Sequence, residues 1–474
     1  MDTKEFRRHA HAVADWIADY MEGVERFPVR AQVRPGEIAS QLAVAPPAQG
    51  EPMETILADF ESIVLPGVTH WQHPSFFAYF PANSSPPSVL AEMLTAALGA
   101  NCMLWQTSPA ATEMETRVLD WLRQLAGLPE GLHGVIQDSA SSATLCAILT
   151  ARERATGWQA NEEGLGATPR LAVYCSAEAH SSIEKDVKVA GLGRKQLRAI
   201  PVDERFAMRP GALEAAIAAD RAAGIVPACV VATLGTTGVG AFDPLRAIGE
   251  VCRREGVFLH VDAAWAGSAA ILPDQRGWLD GVEYADSLVF NPHKWLFTNF
   301  DCSAHFVRNP AELVRTLEIL PAYLQTRERS EVIDYRDWSV PLGRRFRALK
   351  LWFVMRSYGA EGLRARVEAH IALAQELEQW MAMEPDFELV APRSLALINF
   401  RYHPAGMDEG AALDRLNETL LDRLNSSGRL YLTQNRVNGA FAIRISIGQT
   451  WTERRHVKAA WDEIRSTAQS LEAR

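Results

Sequence analysis

VFLHVDAAWAG (257–267) and SLVFNPHKWLF (287–297) decide the fold of this chain. Each opens as a short, mostly apolar run, the pattern of a strand buried on both faces. Each then stops at a group foreign to an apolar interior: Asp262 in the first and, 32 residues later (294 − 262), Lys294 in the second. The same pattern repeats outward from this pair. GVIQ (134–137), LAVYC (171–175), ACVVAT (228–233) and SAHFV (303–307) read as further buried strands. ATLCAILTARERA (143–155) and PLRAIGEVCRREG (244–256) read as helices between them. This alternation predicts an α/β fold with a mostly parallel central sheet flanked by helices. Ligands of such sheets bind at the carboxyl ends of the strands, which is where Asp262 and Lys294 are expected.

The flanks differ from this centre. Phe6, Val13, Trp16, Ile17, Tyr20 and Met21 recur at helical spacing, so residues 4–23 are expected to form an amphipathic helix. A helix with one apolar stripe must bury it, and the Pro-interrupted stretch that follows makes 1–85 an arm for a partner subunit. The expected division is 1–85 as a dimerisation arm, 86–360 as the large domain and 361–474 as a smaller α+β domain. In that last region FELVAP, LALINFRYH and LYLTQNRVNGAFAIRISIG read as strands, with a hairpin turn at Asn438-Gly439 and a closing helix through WTERRHVKAAWDEIRSTA.

A chain of 474 residues with 48% apolar and 22% charged residues is long enough for two or three such domains. Its net charge of −10 argues against nucleic acid or an anionic membrane as partner. No apolar run reaches membrane-spanning length and no export signal is legible, so a cytoplasmic location is expected. The six cysteines are scattered without a CxxC pair, which predicts reduced thiols and no metal site.

Five segments carry candidate chemistry, each with an ordinary structural reading beside it. Lys294 is a strand-end lysine in aromatic surroundings, where desolvation favours the neutral amine that condenses with an aldehyde. Asp262 could cap a helix, or pair with a protonated pyridine nitrogen. In GVIQDSASSATL, Ser139, Ala140, Ser141 and Thr144 fall at a helix N-terminus, suited to phosphate but also to plain capping. The Gly/Thr-rich loop after ACVVAT offers Thr237 and Asp243 as polar contacts, or is a simple turn. His180, past LAVYC, could stack on a planar ring, or be a surface histidine. Taken together, and in this chain order, they match fold-type I pyridoxal-phosphate enzymes.

THWQHPSFFAYFPANSS (69–85), HVDAAWAGSA (260–269), FNPHKW (290–295), NFDCSAHFV (299–307) and PLGRRFRALKLWF (341–353) carry a family likeness. Through them the chain resembles the aromatic-L-amino-acid decarboxylases among the group II pyridoxal-phosphate decarboxylases, from about residue 5 to 380. The resemblance implies pyridoxal 5′-phosphate as cofactor, with Lys294 as its Schiff-base lysine, Asp262 on the pyridine nitrogen and His180 stacked on the ring. It places Ser139, Ala140, Ser141, Asn291 and His293 on the phosphate side. Trp71, Tyr79, Phe80 and Pro81 are implied to line an aromatic pocket. It further implies a homodimer with residues of both subunits at the site, and Tyr323, in a polar lid, as proton donor to Cα.

The chain departs from the animal members at several positions. Asp138 stands where they have glycine, Ala82 replaces threonine, and Asn101 and Met103 replace apolar or aromatic residues. Gly343 matches relatives that accept indolic or dihydroxyphenyl side chains. Relatives that make aldehydes carry phenylalanine in place of Tyr323 or asparagine in place of His180, so decarboxylation to the amine is favoured over an aldehyde synthase. Acidic-substrate decarboxylases, aminotransferases and a cofactor binder without turnover are less consistent with these residues.

Overall fold

The computed structural model describes residues 1–319 and 331–472. It divides into two compact units: Met1–Pro81 with Gln375–Val390 and Asn399–Arg474, and Ala82–Ala374 with Ala391–Ile398.

The larger unit is built on seven strands: β1 (His133–Gln137), β2 (Leu171–Ser176), β3 (Leu197–Ile200), β4 (Val226–Thr233), β5 (Phe258–Asp262), β6 (Ser287–Phe290) and β7 (Ser303–Val307). Their order is β1-β7-β6-β5-β4-β2-β3. The pairs β2–β3, β2–β4, β4–β5 and β5–β6 are parallel, while β7 runs antiparallel to both β1 and β6. All six expected strands are present. The seventh, β3, escaped the sequence reading because only Ile200 of its four residues is buried, so no apolar run marks it.

Register sets the site. Thr233 pairs with Asp262, and Asp262 with Val289, so β4, β5 and β6 end level with one another on one edge. Helix Ala140–Ala155 packs Ala147, Ile148 and Ala151 against Val173, Cys175, Cys229, Val231 and Phe258 of the sheet. Each fully buried aliphatic or aromatic side chain there contributes about 1.5–3 kcal/mol, which makes this edge a rigid platform. All six cysteines are buried and free.

The smaller unit holds a four-stranded sheet of order β10-β11-β9-β8, with β8 (Phe387–Leu389), β9 (Leu397–Tyr402), β10 (Thr433–Val437) and β11 (Ala440–Ser446). Asn438 (φ 51°) and Gly439 (φ 85°) make the expected β10–β11 turn, with both residues left-handed. Residues 24–81 fold onto the C-terminal segment of the same unit. Val29 N–H donates to Gly428 O (2.8 Å), Phe77 N–H donates to Tyr431 O (3.0 Å), and Glu25 pairs with Arg455 (2.5 Å). Helix Thr3–Gly23 is capped by Asp2 and Glu5 in a reciprocal capping box, yet buries no residue. Among the described residues no helix is long and apolar enough to cross a membrane.

Candidate functional site

Asp262 is the last residue of β5 and only 6% exposed. Its Oδ1 accepts Ala264 N–H (3.0 Å), and its carbonyl accepts Leu234 N–H (2.8 Å), which ties the Gly/Thr loop after β4 to the carboxylate's own strand. Gly235 in that loop has φ 86°, and a Cβ there would lie 2.5 Å from Ala266 Cβ, so only glycine permits this approach. Lys294 follows β6 in a one-turn helix, Pro292–Trp295, and is half-buried. Asn291 opens that turn: its carbonyl accepts Lys294 N–H (2.9 Å), and its side-chain oxygen accepts from Ser303 Oγ. Trp265 and Trp295 stack at 5.0 Å between ring centroids, locking the segment after Asp262 to the segment after Asn291.

His180 lies past the end of β2 and is exposed at the mouth of this edge. Its Nδ1 accepts Ser182 N–H (3.1 Å) and lies 2.8 Å from Ser182 Oγ. A backbone N–H can only donate, so the neutral ring carries its proton on Nε2. Partial desolvation lowers the imidazole pKa below its ordinary value; Asp262 pushes it up and Lys294 pushes it down. His180, Asp262 and Lys294 therefore share one electrostatic neighbourhood, and the ring is a neutral N–H donor within it.

Ser139 caps helix Ala140–Ala155, its Oγ accepting Ser142 N–H (3.1 Å). Asp138 Oδ1 accepts from Ser139 Oγ (3.2 Å), so the acidic departure is absorbed into the cap. Ala140 and Ser141 occupy the first turn, half-buried, with the free N–H groups of the helix start. Thr144 is turned inward, its Oγ1 3.0 Å from His260 Nε2. Thr237 is exposed in its loop. Asp243, offered above as a polar contact of that loop, accepts Thr233 N–H and Met208 N–H (both 2.7 Å), and burial raises its pKa to about 6; it clamps the loop. His293 is buried with Nδ1 accepting Cys302 N–H (2.9 Å), and burial, aided by Lys294, lowers its pKa to about 3.

The pocket candidates fall in two groups. In the larger unit Asn101, Met103 and Gly343 converge. Asn101 Oδ1 accepts Arg344 N–H (3.0 Å), a Cβ on Gly343 would sit 3.8 Å from Asn101 Nδ2, and Met103 O accepts Arg336 N–H (3.0 Å). Ala82, half-buried, precedes Asn83. In the smaller unit Trp71 stacks on Phe76 (4.4 Å) and on Tyr79 (5.7 Å), and Arg444 lies over the Phe80 ring (4.3 Å). Pro81 is buried. Tyr323 and the expected lid as far as residue 330 lie outside the described residues.

Sequence reasoning missed two residues. Asn83 donates its backbone N–H to His293 O (2.9 Å) and its side-chain amide to Lys294 O, fixing the turn that presents the lysine. It was in plain view inside the FAYFPANSS block. Asp186, on helix Ser182–Val189, is buried, and the charge of Asp262 acts on it.

Comparison with known proteins shows what the chain is similar to. Residues 35–403 match the pyridoxal-dependent decarboxylase conserved domain. The chain is 44% identical over 485 residues to the aromatic-L-amino-acid decarboxylase of Sus scrofa, covering 99% of this chain and 98% of that one. It is 43% identical over 481 residues to the phenylacetaldehyde synthase of Arabidopsis thaliana, covering 99% and 97%. The crystal structure of Oryza sativa TDC with PLP and tryptamine superposes with a TM-score of 0.96 at 37% identity, covering 99% of each chain.

Proposed function

Because this chain belongs to the pyridoxal-dependent decarboxylase family, we propose that it converts an aromatic L-amino acid to the corresponding amine and CO₂. It is a carboxy-lyase and its cofactor is pyridoxal 5′-phosphate. The observation that carries the aromatic decarboxylase reading is the shared neighbourhood of His180, Asp262 and Lys294, which follow or end β2, β5 and β6 on one edge of the sheet. The donor set suits the cofactor: an amine, a buried carboxylate and a helix N-terminus for phosphate.

When bound, the cofactor supplies an electron sink for the bond that releases CO₂. Lys294 is the proposed amine that would hold the cofactor through its aldehyde carbon. Asp262 holds a proton at the ring nitrogen end. Neutral His180 offers its Nε2–H to the substrate carboxylate, and Ser182 keeps the ring in that tautomer. Ala140, Ser141 and Asn291 are proposed for the phosphate. Tyr323 is the proposed proton donor to Cα. The Trp71–Tyr79 stack, with Phe80 and Pro81, is an aromatic surface suited to a planar side chain, and the absence of a side chain at Gly343 favours a bulky one, dihydroxyphenylalanine or an indole.

A homodimer is proposed as the working form, in a cytoplasmic setting, with residues of both subunits at the site. Helix Thr3–Gly23 buries no residue, and helix Pro86–Leu98 exposes Leu90, Met93, Leu94 and Leu98 along one stripe. Only another apolar surface covers such faces favourably.

The deciding experiment supplies the holoenzyme with phenylalanine, tyrosine, dihydroxyphenylalanine, tryptophan and 5-hydroxytryptophan, quantifying amine, CO₂ and peroxide. Amine and CO₂ in equal amounts without peroxide is the expected result. Aldehyde with peroxide instead would assign the aldehyde synthase activity that one relative's name carries.

A further inference from the structure

Ile183, Asp186, Val187 and Ala190 form one buried face of the chain after His180, spaced as a helix spaces its core positions. Three are apolar and one is a carboxylic acid. Asp186 is 4% exposed, and its Oδ2 has no hydrogen-bond partner among the described residues. An isolated buried carboxylate is costly, so such a group is either neutral or tied to something nearby. Burial raises its pKa to about 7; Lys185 opposes that rise and Asp262 adds to it. Lys185 is on its own helix, Cys146 on the packed helix Ala140–Ala155 senses its charge, and Asp262 is on β5. Glu184 and Lys188 pair with each other (3.3 Å), and Arg194 of the adjoining turn is taken up by Glu184 (3.2 Å). Among the described residues no cation reaches the Asp186 oxygens within ion-pair distance.

We propose that Asp186 is a positioning residue of the site, a second carboxyl sealed in near Asp262, whose proton occupancy sets how much negative charge faces the cofactor's ring nitrogen. The inference rests on the decarboxylase reading for its consequence, though not for its chemistry. With Asp186 protonated, its carboxyl adds no negative charge beside Asp262. When Asp186 loses its proton to solvent, a second negative charge appears, and like charges in a dry region hold protons on neighbouring groups more tightly. The ring nitrogen gains from that field, and carbanion stabilisation gains with it. The enzyme therefore becomes more active as Asp186 ionises.

The test is a titration of the full-length chain labelled at the aspartate carboxyl carbons and followed by NMR between about pH 5 and 9 without added pyridoxal phosphate. Two buried aspartates are expected to titrate in this window, Asp243 near 6 and Asp186 near 7; the higher of the two resonances should be absent from Asp186→Asn and move to lower pH in Asp262→Asn, where the repelling charge is gone. Absence of any such resonance, or one that ignores Asp262→Asn, overturns the proposal. In the holoenzyme, the ratio of wild-type to Asp186→Asn kcat/KM should rise roughly threefold between about pH 6 and 8. A ratio independent of pH overturns the catalytic part. Failure of the wild type to form amine at all would sink the decarboxylase reading and leave the NMR result standing.

Discussion

His260 and Asp262 stand two residues apart on β5, on the same side of the strand, and end up in opposite circumstances. His260 sits in mid-sheet within a chain of polar groups that ends at His305, whose Nδ1 has no partner among the described residues. Its Nε2 meets Thr144 Oγ1 at 3.0 Å, its Nδ1 meets Ser287 Oγ at 2.9 Å, and Ser287 Oγ meets His305 Nε2 at 2.7 Å. Burial holds both imidazoles well below their ordinary pKa, that of His305 at about 3, so the chain is neutral throughout. Asp262, at the strand's end, has instead a histidine whose protonation it and Lys294 push in opposite directions. Both regions are buried and polar. Burial alone therefore does not mark function. Polar groups that satisfy one another inside the sheet hold it together, whereas groups that meet at the strand ends with opposed charges leave work for a ligand.

The sharpest way to break this comparison is to show that a strand-end substitution costs stability, or that a mid-sheet one costs chemistry. Lys294→Ala should lower amine formation by at least about a thousandfold, because no other amine stands at that position, with little change in melting temperature. Asp262→Asn should follow, with a loss of roughly a hundredfold at saturating cofactor, since a preorganised charge is removed from the site. If either variant instead failed to fold, the strand-end group would belong with the mid-sheet chain.

Ser287→Ala is the converse. It leaves His260 Nδ1 and His305 Nε2 facing no partner, at a cost of about 1–3 kcal/mol in unfolding free energy. Turnover per folded molecule should stay within about twofold, because none of these groups touches the ligand edge. Denaturant unfolding and an active-site titration of the same sample measure the two effects separately. A large loss of turnover at full folding would show that the chain reaches the chemistry.

The same contrast explains what could be read from the residues. Asp262 and Lys294 were legible because each interrupts an apolar strand, and the order of the segments around them restricts the fold to one class. The mid-sheet chain was not, since Thr144, His260, Ser287 and His305 come from four segments that only the folded sheet and its packed helix bring together. Asn83 belonged to a recognisable block, but its role needs the folded turn of Lys294. Ser139 looked like a phosphate ligand and a cap at once, and the structure shows it capping. Asp186 was hidden by its neighbours: SIEKDVKV reads as a solvated charged face, and only the helical phase set by Ile183 and Val187 turns the aspartate inward.

That inward turn gives the smallest effect. An aspartate whose pKa in the folded chain is raised from 3.8 to about 7 contributes fully to stability below its unfolded pKa and loses that contribution as pH rises through 7. The wild type is therefore penalised at pH 8 for an ionised Asp186, and Asp186→Asn, which keeps the shape and cannot ionise, is not. Relaxation and water penetration reduce the penalty below the value the full shift would give, to about 1–2 kcal/mol. Thermal unfolding of the two proteins should coincide near pH 4 and separate toward pH 8, with the variant the more stable. Equal separation at every pH would mean that shape, not charge, distinguishes them, and Asp186 would then join the mid-sheet groups as a purely structural acid.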